Sequence, residues 1–441
     1  MKYVPQSIGN SSFRDRHMVK YTYISGGMYG GLSSKEFVVK MARAGFLSFL
    51  GTGGLKIEQI EENIKFIRSS IGNLNFGINL LHNHIISEKE EVIINLLLKN
   101  KIRAIEAGAF PSVTLPLLKY RLSGIYRNND GIVIAPNKIL VKASRQNVLK
   151  AFLSPPPSNL VSFLLTNGDI TEEEAILSQE IPVAEDVIIE ADSAGHTDSR
   201  SALAIFPSMV SLCKKMHQEY GYKDKVCIGL AGGIGTPQAA AAAYIMGADF
   251  ISTGSINQCT VESSASDVVK DMLCTISIED TDYTPTGDML ETGAKIQVLK
   301  KGVLFPVRAK KLYEYYLKYD SIEEIDYDIQ EKMRVDYYGG KSLSQVYDEA
   351  KSHFPIEAIE KAEHNPKAKL ALVIKEYFYK TISYAYSGKL EQKINFQIHT
   401  GVALGAFNDY VKGTELEDWR NRHVDDIALK ILNDACEILN K

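Results

Sequence analysis

The sequence predicts an α/β fold: an eightfold (β/α)8 TIM barrel followed by a mostly helical C-terminal region. Three observations carry that prediction. From Tyr21 onward, short apolar runs rich in β-branched residues alternate with stretches of helical periodicity, the pattern of parallel β/α units. Eight such runs occur, and eight fit a closed barrel better than an open sheet. After Ser255 the alternation stops, and from about residue 280 the chain becomes rich in Lys, Glu and Tyr in helical patterns.

The candidate strands are Tyr21–Ser25, Phe46–Leu50, Phe76–Leu80, Ala104–Ala107, Ile139–Ala143, Val187–Ala191, Val226–Ala231 and Phe250–Thr253. Helical stretches separate most of them, among them Ser34–Ala44, Ile57–Ile71, Lys89–Asn100 and Pro237–Met246. Pro237 suits a first helical turn, where a missing N–H costs nothing. Between Ala151 and Asp186 the connection lengthens and contains Ser154-Pro-Pro-Pro-Ser158, which reads as a stiff, extended surface crossing. Patterns at Ala309–Tyr319, Leu343–Ser352 and Asp425–Leu439 make the remainder helical. The expected division is a barrel over residues 1–279 and a helical cap over residues 280–441, part of which packs back on the barrel. Within one cap helix, Tyr313, Tyr315, Tyr316 and Tyr319 read as amphipathic packing, with an acyl groove as the rarer alternative.

Composition removes several function classes. With 441 residues the chain has room for a barrel of roughly 250 residues and one further domain. A formal net charge of −4 and a pI near 6.2 leave no basic footprint for nucleic acid. Apolar stretches are too short to cross a membrane, and the start, Met-Lys-Tyr-Val-Pro-Gln-Ser, lacks the apolar core of a signal peptide. Cys213, Cys227, Cys259, Cys274 and Cys436 are scattered without C-x-x-C spacing. They read as reduced, mostly buried thiols of a cytoplasmic protein, not as disulfides or a zinc site.

The chemistry-bearing residues gather at predicted strand ends. Val226–Ala231 delivers Gly232 and Gly233, and Phe250–Thr253 delivers Gly254 and Ser255. Backbone N–H groups approach a phosphate closely only where no Cβ intervenes, and a helix N-terminus behind each loop adds positive potential. In an eightfold barrel the usual phosphate site follows strands seven and eight. Four glycines fall within Ile24–Gly31, and Gly51-Thr52-Gly53-Gly54 repeats the pattern after strand two. Such loops admit a flat ring or a phosphate, or are simply flexible turns. Asn79 ends strand three with an amide able to donate to and accept from a heterocycle edge. Lys142 ends strand five, where a lone lysine is more often a salt-bridge partner than a ligand to a cofactor.

His196 follows strand six in a polar loop ending Thr197-Asp198-Ser199-Arg200, which places an imidazole over the barrel mouth. Histidine gives or takes a proton near neutral pH, so a catalytic role is weighed against a loop-capping one. The pair His82 and His84 has no third ligand at suggestive spacing, so no metal is expected. Elbow, P-loop and H-E-x-x-H motifs are missing from the sequence, and the glycines of Gly229–Gly235 do not follow G-x-G-x-x-G.

Four segments carry a family resemblance: Ser25-Gly-Gly-Met-Tyr-Gly-Gly31, Glu190-Ala-Asp-Ser-Ala-Gly-His-Thr-Asp198, Ala231-Gly-Gly-Ile-Gly-Thr-Pro237 and Thr253-Gly-Ser-Ile-Asn-Gln258. They resemble the FMN-dependent nitronate monooxygenase-like barrels (the 2-nitropropane dioxygenase superfamily), which include flavin-containing enoyl-acyl carrier protein reductases. More narrowly, the chain resembles the trans-acting enoyl reductases of polyunsaturated fatty acid synthases and trans-acyltransferase polyketide synthases. The narrower match rests on Gln258-Cys-Thr-Val-Glu262, Gly293-Ala-Lys-Ile-Gln-Val-Leu-Lys-Lys-Gly302 and Gly405-Ala-Phe-Asn-Asp-Tyr-Val-Lys-Gly413. One departure is Ala194, which stands where the superfamily often has a second glycine before the histidine; Gly195 keeps the close approach.

The resemblance implies FMN and NADPH as cofactors and reduction of the α,β double bond of a 2-enoyl thioester. It places the FMN phosphate on Gly232, Gly233, Gly254 and Ser255. Gly26, Gly27, Met28, Asn79 and Lys142 would surround the isoalloxazine, and His196 would supply the α-carbon proton or stabilise the thioester enolate. The substrate would arrive on an acyl carrier protein of a polyketide or fatty acid synthase. Lys295, Lys300, Lys301, Arg308, Lys310 and Lys311 are the candidate docking patch, or else a solvated helix face. The cap would cover the pantetheine arm or make a homodimer contact. A nitronate monooxygenase, needing the same FMN site but neither NADPH nor a carrier protein, is the alternative.

Overall fold

The computed structural model describes residues 2–82 and 87–441, with the side chains of residues 87 and 88 also left out. His84 of the H-x-H pair lies outside the described residues. The chain divides into two compact units: residues 1–192, 199–265 and 406–441 form one, and residues 193–198 and 266–405 form the other.

Strands are numbered in chain order. The first four are β1 (Tyr23–Ser25), β2 (Leu47–Gly51), β3 (Gly77–Leu81) and β4 (Ala104–Gly108). A small hairpin, β5 (Tyr126–Arg127) with β6 (Val133–Ile134), precedes β7 (Lys138–Ala143) and β8 (Asp186–Glu190). Then come the two-residue β9 (Gly195–His196), β10 (Cys227–Ala231), β11 (Phe250–Thr253), β12 (Thr281–Pro285) and β13 (Lys295–Leu299). In the first unit β1, β2, β3, β4, β7, β8, β10 and β11 close into a parallel barrel, β1 pairing with β11. These are the eight predicted strands, displaced by a residue or two at their ends. The helices at Lys35–Ala44, Ile57–Ile71, Ser87–Lys99 and Pro237–Ile245 also fall where periodicity places them.

The barrel interior is filled by pairing the smallest residue with the largest. A Cβ on Gly77 would run into the ring of Phe49, and one on Gly229 into the ring of Phe250. Glycine on one strand therefore makes room for phenylalanine on its neighbour, and both rings are fully buried. Phe13, on the helix Ser11–His17, stacks on Phe250 at 4.3 Å and closes this core from the N-terminal side. The same helix is tied to the start of β8, where buried Asp186 accepts from His17 Nε2 at 2.7 Å and pairs with Arg16 at 2.5 Å.

The connection before β8 is extended only around the prolines. It continues as helices Ser158–Thr166 and Glu172–Leu177, the second started by Thr171 and Glu174 in reciprocal capping bonds. Here the expected surface crossing is shortened, because prolines bar a helix only where they stand.

In the second unit, β12, β13 and β9 form an antiparallel sheet, and helices including Phe305–Lys318, Leu343–Ala350 and Pro366–Tyr386 enclose their own apolar core. Tyr315, Tyr316 and Tyr319 are buried in that core and Tyr313 packs against it. The Tyr319 hydroxyl donates to Asp326 at 3.1 Å. Packing, not an acyl groove, accounts for these tyrosines.

This division differs from the expected 1–279 and 280–441. The second unit begins at Ser266, and the chain returns to the barrel unit after Gly405. The final helix, Val424–Leu439, buries Val424, Ile427, Ala428, Ile431, Leu432, Ala435 and Cys436 and lies against the barrel helices Pro237–Ile245 and Lys35–Ala44. Periodicity reveals that a helix has an apolar face but not which surface that face covers. Among the described residues, no helix is long and apolar enough to cross a membrane.

Candidate active site

In the barrel unit the predicted residues do converge on the C-terminal ends of the strands. β1, β11 and β10 are hydrogen-bonded neighbours, and Gly26 N–H donates to the Thr253 carbonyl at 3.0 Å. Gly26 and Gly27 therefore sit beside Gly254 and Ser255, and these beside Gly232 and Gly233. The three glycine loops form one arc.

The glycines are not equivalent. Gly232 has φ +92°, and a Cβ there would lie 2.6 Å from the Asp192 carbonyl oxygen, so the chain itself demands glycine. Gly233, at φ +74°, and Gly254 have no heavy atom within 4 Å of a would-be Cβ. Their absent side chains open the backbone to something other than protein. Gly27 is the opposite case: a Cβ would collide with the Asn79 side chain. The run at Gly53 and Gly54 is likewise taken up by the Tyr29 ring.

Facing the arc is a polar cluster from β3, β4, β7 and β8. Glu106 Oε2 accepts from the Gly27 N–H at 2.9 Å and from Asn79 Nδ2 at 2.8 Å; Asn79 and Glu106 are register partners. Lys142 Nζ pairs with Glu190 Oε1 at 2.8 Å. Lys142 is thus in the ion pair that a strand-end lysine commonly makes. Burial pulls the Lys142 pKa down, but Glu190 and Glu106 outweigh it and hold the ammonium charged. Burial pushes Glu106 above the ordinary carboxylate value, against Lys142, the Gly27 N–H and the Asn79 amide. Its second oxygen, Oε1, is buried with no hydrogen-bond partner among the described residues. A buried acceptor left unsatisfied is costly in a fold alone and marks a place built for a donor. Met28 N–H is used locally, donating to Ser33 Oγ at 2.9 Å.

His196 and Gly195 belong to the second unit, as strand β9 on the edge of its sheet. Gly195, at φ +76°, also has no heavy atom within 4 Å of a would-be Cβ. The His196 Nε2 is 3.0 Å from both Asp288 carboxylate oxygens and 3.4 Å from Thr286 Oγ1, which itself donates to Asp288. Burial pushes Asp288 up, yet the hydrogen bond and charge of His196 prevail and hold it at about 2. Behind them His399 bonds Gln397 Nε2 at 2.8 Å, and burial, reinforced by His196, lowers its pKa to about 4.

Several residues of these clusters carry little or no mark in the sequence. Glu106 has one, as a lone carboxylate in the otherwise apolar Ala-Ile-Glu-Ala-Gly strand. Asp288 and His399 have none, lying far from His196 in the chain. Three of the six residues of the expected docking patch are in ion pairs: Lys310 with Asp282 at 2.7 Å, Lys311 with Glu314 at 2.8 Å and Lys301 with Asp280 at 3.4 Å. His82 is 3.3 Å from Glu90, and no metal-ligand group of three occurs among the described residues.

Residues 319–396 match the inserted helical domain of [acyl-carrier-protein] S-malonyltransferase. The chain is 48% identical, over 99% of its length, to the polyketide biosynthesis protein PksE of Bacillus subtilis (strain 168), covering 57% of that protein. It is 36% identical, over 97% of its length, to one of the polyunsaturated fatty acid synthase subunits of Thraustochytrium sp., covering 29% of it. The chain thus spans from under a third to little more than half of these relatives. The crystal structure of the enoyl reductase domain of MlnA, from the macrolactin biosynthesis cluster of Bacillus amyloliquefaciens, superposes with a TM-score of 0.95 at 43% identity, covering 98% of both chains. The chain belongs to the family of that enoyl reductase domain.

Proposed function

We propose that the chain is an FMN-dependent enoyl reductase that saturates the α,β double bond of a 2-enoyl thioester, with NADPH as reductant. The observation that carries this reading is the open arc of Gly233 and Gly254 facing the buried Glu106–Asn79–Lys142 cluster. That arrangement fits a phosphorylated heterocycle: open backbone for the phosphate, and amide, ammonium and carboxylate groups for a polar ring edge.

Gly232, Gly233, Gly254 and Ser255 would hold the FMN phosphate, and Gly26, Gly27, Met28, Asn79 and Lys142 the ring. FMN supplies the two-electron redox chemistry when bound. Lys142 would offset negative charge at the ring edge, and Glu106 Oε1 would accept from a donor of the bound group. His196 gives the α-carbon proton or stabilises the enolate, and ionised Asp288 orients its imidazole and balances its charged form.

The substrate is read as an acyl carrier protein-bound thioester in polyketide or polyunsaturated fatty acid synthesis. The likeness to PksE and to the fatty acid synthase relative supports that setting, as does the helical match to a carrier-protein-dependent transferase.

Anaerobic stopped-flow absorbance tests the reading. NADPH should bleach the flavin, and a crotonyl thioester on a carrier protein or pantetheine should restore its colour. A flavin that NADPH leaves oxidised while a nitronate bleaches it would replace this reading with nitronate oxidation.

A further inference from the structure

In the closed barrel β7 lies between β4 and β8, so Lys142 near its end stands between Glu106 and Glu190. Strand register puts all three side chains inside the barrel. Glu106 is paired with Leu140 and Lys142 with Ile188, both members of the interior core, and residues two apart on a strand share a face. The same register sets their depth: Glu106 stands level with Leu140, Lys142 two residues nearer the mouth, and Glu190 two residues nearer still. Exposure agrees, since Glu106 is fully buried whereas the Lys142 and Glu190 side chains are 21% and 23% exposed.

The ammonium makes its ion pair with the outer carboxylate, 2.8 Å from Glu190 Oε1. Glu106 commits Oε2 to the Gly27 N–H and the Asn79 amide instead. A lysine is a compact charge on a flexible stem, so its partner decides where that charge stands. Paired with Glu190, it stands at the mouth, among the groups that fit a polar ring edge. A carboxylate so close also offsets much of the ammonium's field at a neighbouring ring. A ring that gains negative charge on reduction is therefore favoured less than a lone ammonium would favour it.

We infer, on the reading that FMN fills this site, that Glu190 is a positioning residue: it holds the Lys142 ammonium at the barrel mouth and, by offsetting its charge, keeps the reduction potential of the bound flavin low. Charge sets the sign of the effect. Removing the Glu190 charge makes the surroundings of the ring more positive and favours the reduced form; removing the Lys142 charge does the reverse.

Spectroelectrochemical titration of the FMN-loaded full chain at neutral pH tests this, with FMN affinity read separately by fluorescence. Glu190→Gln keeps the size of the side chain and removes its charge. It should raise the midpoint potential by about 30 mV, the equivalent of a tenfold change in the reduction equilibrium of a two-electron couple. Lys142→Met should lower the potential, and Glu190→Asp, which keeps the charge on a shorter stem, should lie nearer the parent than Glu190→Gln does. A purely structural role for Glu190 would weaken binding of both redox forms alike, so FMN affinity would fall while the potential held. An unchanged potential in Glu190→Gln, shifts of the same sign in Glu190→Gln and Lys142→Met, or a Glu190→Asp shift as large as that of Glu190→Gln would each overturn the inference and leave the FMN site standing. A parent chain that binds no FMN would remove both.

Discussion

The His196 imidazole and the Asp288 carboxylate, 92 residues apart in sequence, meet at 3.0 Å within one compact unit. Strand β9 sets this up by pairing His196 with Ile296 of β13, while the turn that follows β12 brings Asp288 to the same edge. An ionised carboxylate at that distance fixes the orientation of the ring.

Replacing Asp288 with Asn keeps the hydrogen-bonding shape and removes the charge. Enoyl reduction should fall about tenfold in kcat, short of the ~10²–10⁴ expected when His196→Ala removes general acid catalysis altogether. Flavin reduction by NADPH should be unchanged in both variants. Steady-state and half-reaction rates check this, and an Asp288→Asn enzyme with unaltered kcat would remove Asp288 from the positioning role.

Glu106 titrates with the opposite sign to Asp288. Its folded-state pKa is raised, so the folded chain binds more protons than the unfolded chain, and stability is lost as pH rises from the ordinary carboxylate value through the raised one. Glu106→Gln should flatten that slope, seen as a melting temperature of the FMN-free protein that changes less between acid and neutral pH than the parent's.

His399 is held at about 4 against an ordinary 6.5. The unfolded chain binds the extra proton, so stability is full above 6.5 and falls as pH drops towards 4. His399→Gln should remove that part of the acid sensitivity, measured as the denaturant midpoint at neutral pH and near pH 5. Equal slopes in parent and variant would count against a buried neutral imidazole.

The two kinds of glycine make a paired test. Gly27→Ala drives a methyl group into Asn79 and should destabilise the fold by about 1–3 kcal/mol. Gly254→Ala meets no protein atom and should cost the fold less than about 1 kcal/mol, while weakening FMN retention at least tenfold. Thermal melts of the FMN-free chains and fluorescence titration with FMN give both numbers.

Much of this was legible in the residues. Strand and helix periodicity marked all eight barrel strands, because parallel strands buried on both faces must be apolar runs. Glycines after β10 and β11 marked the open arc, because only glycine leaves the backbone bare where the chain turns out of a strand. His196 stood out as an imidazole in a polar loop. The rest depended on tertiary structure. No local pattern joins Glu106 to Asn79 and Gly27, or Asp288 to His196, since each is brought together by strand register or by a returning segment. The return of Val424–Leu439 to the barrel was hidden for the same reason: amphipathicity is a property of one helix, whereas its partner surface is a property of the folded chain.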